Sequence, residues 1–507
     1  MTTMHRALQL NDIIYMLFRH VNEPSVNHEP GGNVGQKTLA VLARTCRIFH
    51  EPALDVLWGD LYFPQPLIRC LPDSGDQWHL KDHTKPLTAR DWEVLQKYVP
   101  RVLSLTFHSE TPFYRNVLKA LRQSPVAQPP LPNLQRLDYR HLIPEDYRLL
   151  DIFFVPSLTD LAIQVHRASF PDISFISPLA TSCPRLTSFR LFGYGSHELI
   201  KATVSDVIMG LPHLQTLHCD ELSSAAITFV AWHPSLTELD IFVPSGHQYD
   251  LSQCPHPTLP RIPPFSRIKT FGMHSVHLSS ITAFIQAVQP SPSHLRIATS
   301  QCSSPQDFQE LFSTLSNKRR HESVQIIGVQ SYPPHEYPSV ASVDMDTIKP
   351  LLSFLKLREL HLLIVNSYDF SDEDLTAMGA SWPCLEVIDL NNGDARATIT
   401  LRSLILLVNK CAHLRTARLP INANILEGIE ECPTSMVGAN DLQQLLLPGT
   451  VVKNPRAVAL IVSLAFPKVK KIGVGGLRRG ISHEPSWDKV NEYLEAFRLF
   501  QGGRWRT

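Results

Sequence analysis

Residues 473–480 read Gly-Val-Gly-Gly-Leu-Arg-Arg-Gly, and a glycine-rich turn behind a strand can cradle a pyrophosphate. The spacing fails: the third glycine of a GxGxxG fingerprint falls at Arg478, and no strand–helix–strand unit with a ribose-binding acid follows. The run reads instead as a turn after a strand. His79 and His83 are four apart and could share a helix face as metal ligands, yet no HExxH glutamate stands between them. There is no GxSxG nucleophile elbow and no GxxxxGK[ST] phosphate loop. The 23 histidines are scattered, so no acid–base constellation emerges. The expectation is a protein without a catalytic, cofactor-binding or metal site, acting by binding.

Composition narrows what it binds. Forty-seven Lys and Arg balance 47 Asp and Glu over 507 residues, which removes the long-range attraction of a dedicated nucleic-acid or anionic-membrane binder. A 43% hydrophobic content supports a folded core. The nine cysteines are odd in number, widely spaced and without a CxxC pair, which speaks against a disulfide framework or structural zinc. The N-terminus lacks an apolar signal core, and the apolar run Ala457–Phe466 is too short to span a bilayer. A cytoplasmic or nuclear location is expected, with neither nucleic acid nor membrane as partner.

The elements that must position a binding surface are repeats. The phrase P-x-L-x-x-L-x-L opens at Pro132, Pro156, Pro184, Pro212 and Pro234, at intervals of 24, 28, 28 and 22 residues. Further copies begin at Leu357, Leu385, Leu414, Leu442 and Val469, 28, 29, 28 and 27 apart. Weaker copies fall at Val102/Leu105/Phe107, Ile268/Phe271/Met273, around Leu295–Ile297 and around Val324–Ile326. The alternating section specifies a short strand with one buried face. Between strands lie helix-like stretches, among them Leu401/Leu404/Ile405/Val408, and Ser371-Asp-Glu-Asp374 has the form of a capping box. This period and phrase resemble the leucine-rich repeat. The fold class is therefore an α/β leucine-rich-repeat solenoid, parallel strands inside and helices outside, although the asparagine or cysteine that often follows the strand in that family is missing. No unit can bury its leucines alone, so neighbours must stack.

Outward strand residues would line an open, mixed-charge inner wall suited to a protein or peptide rather than a small molecule. Arg136, Asp138, Arg190, His218, Asp240, His361 and Asp389 are the candidate substrate-binding positions.

The first sixty residues follow a helical period. Leu10, Ile13, Ile14, Leu17, Phe18 and Val21 form one helix, a polar stretch runs Asn22–Lys37, and further helices are expected near Thr38–Arg47 and from Phe49 to Trp58. "LQLNDIIYMLFRHV…TLAVLARTCRIFHEPALDVLWGDL" resembles the F-box, in the manner of the large set of fungal F-box-like proteins. Two departures stand out: Asn11 replaces the usual proline after the first leucine, and the loop over 22–37 is long. The resemblance implies a small all-α three-helix domain at 1–62 that binds the Skp-type adaptor of a cullin–RING ubiquitin ligase core. Leu10, Ile13, Ile14, Leu17, Val21, Leu39, Leu42, Cys46, Leu57 and Trp58 are the matching adaptor-binding positions, and the trailing repeats would hold a protein substrate.

Residues 63–98 are expected as a packed helical linker, with a capped helix over Thr88–Tyr98. The solenoid occupies 99–480, interrupted by a proline-rich surface loop over Val243–Phe265. A capping helix with Trp487, Val490, Leu494 and Phe497 and a tail fill 481–507. A leucine-rich-repeat scaffold unconnected with ubiquitination is the alternative reading.

Overall fold

The repeat phrase has a direct backbone meaning. In Leu131-Pro132-Asn133-Leu134 the N–H of Leu134 donates to the Leu131 carbonyl at 3.3 Å, so the proline occupies the second position of a tight turn, where its fixed φ is favourable. The same bond closes Val155–Leu158, Cys183–Leu186, Trp382–Leu385 and Phe466–Val469 at 3.0 to 3.1 Å. Most of these turns deliver the chain into a strand at whose entrance two successive N–H groups have a shared target. Gln135 and Arg136 both donate to the Leu103 carbonyl, at 2.8 and 3.0 Å; Thr159 and Asp160 both donate to that of Gln135. Glu386 and Val387 repeat the arrangement on Arg358, and Arg415 and Thr416 repeat it on Glu386.

The computed structural model describes residues 10–22, 34–71, 87–107, 112–123, 129–140, 144–165, 173–193, 197–246, 251, 263–316, 323–331, 341–390, 398–429, 440–447, 452–473 and 485–501. The chain divides into two compact units, Met1–Leu236 and Thr237–Thr507. His79, His83, the glycine run from 474, most of the proline-rich loop (247–250 and 252–262) and the polar stretch over 23–33 lie outside the described residues.

The first unit carries six parallel strands in chain order: Asp60–Leu61, Ser104–Phe107, Arg136–Tyr139, Asp160–Gln164, Ser188–Phe192 and Thr216–Cys219. Leu105, Leu137, Leu161, Phe189 and Leu217 stand in register, and each is fully buried. The second unit carries nine: Glu238–Phe242, Thr270–Ser275, His294–Thr299, Ile326–Ser331, Glu359–Leu363, Val387–Asp389, Thr416–Arg418, Gln444–Leu446 and Ile472–Gly473. Their ladder runs through Leu239, Phe271, Leu295, Ile327, Leu360, Ile388, Ala417, Leu445 and Ile472. A two-strand pair, Val343–Asp344 with Tyr368–Asp369, forms separately. This is an α/β solenoid-like repeat fold.

Helices return the chain between strands. The capping box at Ser371 is present, with Asp374 N–H on the Ser371 hydroxyl at 3.2 Å and Ser371 N–H on the Asp374 carboxylate at 2.9 Å. Thr88 and Asp91 form another at the head of Ala89–Leu95, whose Trp92 and Leu95 are buried. The sheet begins before residue 99: Asp60–Leu61, directly after the third helix, pairs with Ser104–Leu105. The described parts of 63–98 are thus the crossover of the first repeat. At the other end, helix Pro485–Gln501 buries Trp487, Val490 and Leu494, while Phe497 is half-buried. Its Asn491 amide accepts from Ile472 N–H at 2.8 Å and donates to the Ile472 carbonyl at 3.1 Å.

No helix among the described residues is long and apolar enough to cross a membrane. One strand separates core from wall. Leu239 is fully buried, whereas its neighbour Asp240 is half-buried and accepts from His274. Leu239→Ala is expected to lose about 2–5 kcal/mol by opening a cavity between stacked repeats. Asp240→Ala is expected to cost about 1 kcal/mol or less. Chemical denaturation of the two variants checks the order; equal losses would contradict it.

Candidate functional site

Three helices precede the first strand: Asn11–Asn22, Val34–Leu42 and Arg47–Gly59. The second starts and stops earlier than the sequence period indicates. Its end is tightened by Arg44 and Thr45 N–H groups on the Val41 and Leu42 carbonyls, and Cys46 is extended at the head of the third helix. Ile14, Phe18, Leu39, Ala43 and Ala53 form the core, with Phe18 edge-on to Phe49 at 5.4 Å. Val21, Leu42 and Leu57 pack half-buried against it.

The adaptor candidates therefore separate into two sets. Leu10 and Leu17 are exposed at 57% and 46%, with Ile13 half-buried on the same helix face at i, i+3 and i+7. Met16, Val34, Val41 and Ile48 add further exposed apolar side chains, and Cys46 is exposed. Ile14 and Leu39, by contrast, are fully buried, and Trp58 is only 9% exposed. The Trp58 ring lies 4.5 Å from that of Tyr98. These three residues hold the fold together instead of facing a partner.

The helices are fastened to the repeats by charge as well as by strand pairing. Arg101 donates to Asp55 and, at 2.5 Å, to Glu51; Tyr15 donates to the same Asp55 carboxylate. That bond to a carboxylate pushes the Tyr15 phenol up to about 12, because ionisation would set two negative charges together.

In the first unit Asp160 stands between two strand arginines, with Arg190 at 2.7 Å and Arg136 at 3.9 Å. Asp138 is paired with Arg140 at 2.9 Å, and His218 is half-buried in register with Arg190. In the second unit His361 and Asp389 are brought together by register, with Asp389 holding Arg418 at 3.1 Å. Asp240 lies four strands from His361 in the same row. Asp389, 3.9 Å from His361 Nδ1, raises the imidazole above its ordinary value; burial pulls it down, and Glu359 at 3.2 Å adds to the rise. Sequence reasoning missed Arg296, an exposed strand arginine whose register neighbours are Gly272 and Gly328. Its signal was the glycine at the outward position of both adjacent copies, Phe271-Gly-Met273 and Ile327-Gly-Val329.

No protein-family model and no curated protein matches the chain. A search of solved structures returns a chain of the crystal structure of the Rad7 and Elc1 complex in yeast. The match is 15% identical and covers 67% of this chain and 82% of that one, with a TM-score of 0.34.

The His361 cluster makes a signed prediction. The imidazole should titrate above the ~6.5 of a free histidine, and Asp389→Asn should lower it. A raised folded pKa adds stability that is fully present below ~6.5 and is lost as the pH climbs through the folded value. NMR titration of the imidazole carbons checks both; a His361 midpoint unmoved by Asp389→Asn would refute the coupling.

Proposed function

We propose that this protein is the substrate-recognition subunit of a cullin–RING ubiquitin ligase, with the N-terminal helices capturing a Skp-type adaptor and the repeats holding a protein substrate. The observation that carries the reading is the apolar strip Leu10–Ile13–Leu17. A helix with a complete core behind it, in Ile14 and Phe18, leaves these side chains toward solvent, where they favour a partner. The F-box resemblance of the same segment supplies the partner's identity. Fastening the helices to the first repeat through Arg101 and the strand Asp60–Leu61 gives a rigid mount. Such a subunit needs no catalytic group. It raises the effective concentration of a substrate lysine at the charged conjugating enzyme.

Replacing Leu10 and Leu17 together with aspartate is expected to reduce copurification of a Skp-type adaptor by more than ~tenfold, as for a desolvated apolar anchor, without shifting the melting temperature. Trp58→Ala should behave differently, losing about 3–5 kcal/mol of stability as a packed aromatic does. Undiminished adaptor capture by the folded double variant would reject the assignment and leave the repeats as a scaffold of another kind.

A further inference from the structure

The strands of the described residues contain four arginines: Arg136, Arg190, Arg296 and Arg418. Three are matched by an aspartate one strand away, Arg136 and Arg190 by Asp160 and Arg418 by Asp389. The parallel register sets Arg136 level with Asp160 and Arg418 level with Asp389, about 4.8 Å apart, while Arg190, level with Ala162, reaches Asp160 diagonally. Arg296 is the exception among the described residues. Its neighbours in the row are Gly272 and Gly328, which bring no carboxylate, and it is exposed.

The two glycines are not equivalent. A Cβ at Gly272 would meet the Asp240 carboxylate carbon at 2.5 Å, so that side of Arg296 is roofed by Asp240, itself in contact with His274. A Cβ at Gly328 would find nothing nearer than the Leu295 carbonyl oxygen at 3.9 Å. On that side no side chain of the described strands stands in the row before His361, two strand spacings or about 10 Å from Arg296. Glycine weakens a strand interior by about 0.5–1 kcal/mol, and its presence there marks places where another chain or a ligand comes close.

We infer that Arg296 and the open step at Gly328 form a recognition point for one anionic side chain, carboxylate or phosphoryl, of an extended protein segment. This deepens the proposed role of the repeats as the substrate-holding part and rests on that reading. The guanidinium fork can grip either anion with two parallel N–H···O bonds. Among the described residues Arg296 makes no ion pair, whereas Arg418 in the same unit is held by Asp389, so one guanidinium is left to select one charged side chain rather than a polyanionic backbone.

The test uses the purified full-length protein and degenerate peptide pools whose central residue is fixed as glutamate, phosphoserine, glutamine or lysine, with a single-stranded oligonucleotide as a further probe. The glutamate or the phosphoserine pool should be retained about tenfold better than the glutamine pool, the size expected of a charge-assisted hydrogen-bond pair, and whichever is retained names the anion. Arg296→Ala should erase the preference, and Arg296→Lys should keep part of it. Gly328→Val, which has room for its Cβ and favours a strand, should block binding with the melting temperature unchanged. Arg358→Ala, which breaks the Glu386 pair, should leave the preference intact. The inference is overturned if wild type shows no anionic preference, if Arg296→Ala retains it, or if the oligonucleotide competes as well as the peptides. Adaptor copurification is measured in parallel. Its loss with the peptide preference intact would sink the ligase assignment alone, and the reverse result would sink the Arg296 site alone.

Discussion

One carbonyl per repeat organises this chain. At the entrance of most strands two successive N–H groups converge on a single oxygen of the preceding repeat, as those of Arg358 and Glu359 do on the Gln325 carbonyl at 2.7 and 3.0 Å. That shared acceptor fixes the register between repeats independently of side chains, so irregular lengths between strands do not shift it. Once register is fixed, buried residues stack on buried residues and outward residues on outward residues. The lateral Asp160 and Asp389 ion pairs and the uncompensated Arg296 are both products of that rule. Asp160 stands level with Arg136 and Asp389 with Arg418, whereas glycines stand level with Arg296.

The same rule explains what could be read from sequence. Alternation placed Leu239, Ile388 and Leu445 in the core because a strand has a two-residue period and one face has nowhere else to go. The capping box at Ser371 was legible because it is local, needing only four residues. The second helix was displaced because its boundaries depend on the turn through Thr45, which the apolar period does not encode. Among the adaptor candidates, helical spacing grouped Leu10, Ile13, Ile14 and Leu17 on one side. Only packing against Leu39 and Ala43 shows that Ile14 turns inward while Leu10 and Leu17 do not. Trp58 looked like a partner's anchor until Tyr98, forty residues on, proved to cover it. Arg296 escaped notice for a related reason, because its character comes from two glycines on other strands.

The attachment of the helical segment follows from the order of elements. The third helix runs directly into the strand Asp60–Leu61, and the Gly59 carbonyl accepts from Leu103 N–H at 2.9 Å. Arg101 then ties Asp55 and Glu51 to the chain just before the next strand. A rotation of the helices against the first repeat would break paired backbone bonds and strand a partly buried guanidinium, so motion there is confined to the helices' exposed side.

Asn491 has a consequence for quaternary behaviour. A stack of parallel repeats has no intrinsic stopping point, because its final strand offers the same backbone groups that every earlier strand used to recruit its successor. By taking both the N–H and the carbonyl of Ile472, the Asn491 amide acts as a counterfeit next repeat and occupies the growing end. A chain clipped ahead of Pro485 would expose that end as a template. Pairing of that edge with another chain is what the closing helix forestalls, its carboxamide on the backbone and Trp487, Val490 and Leu494 buried behind it.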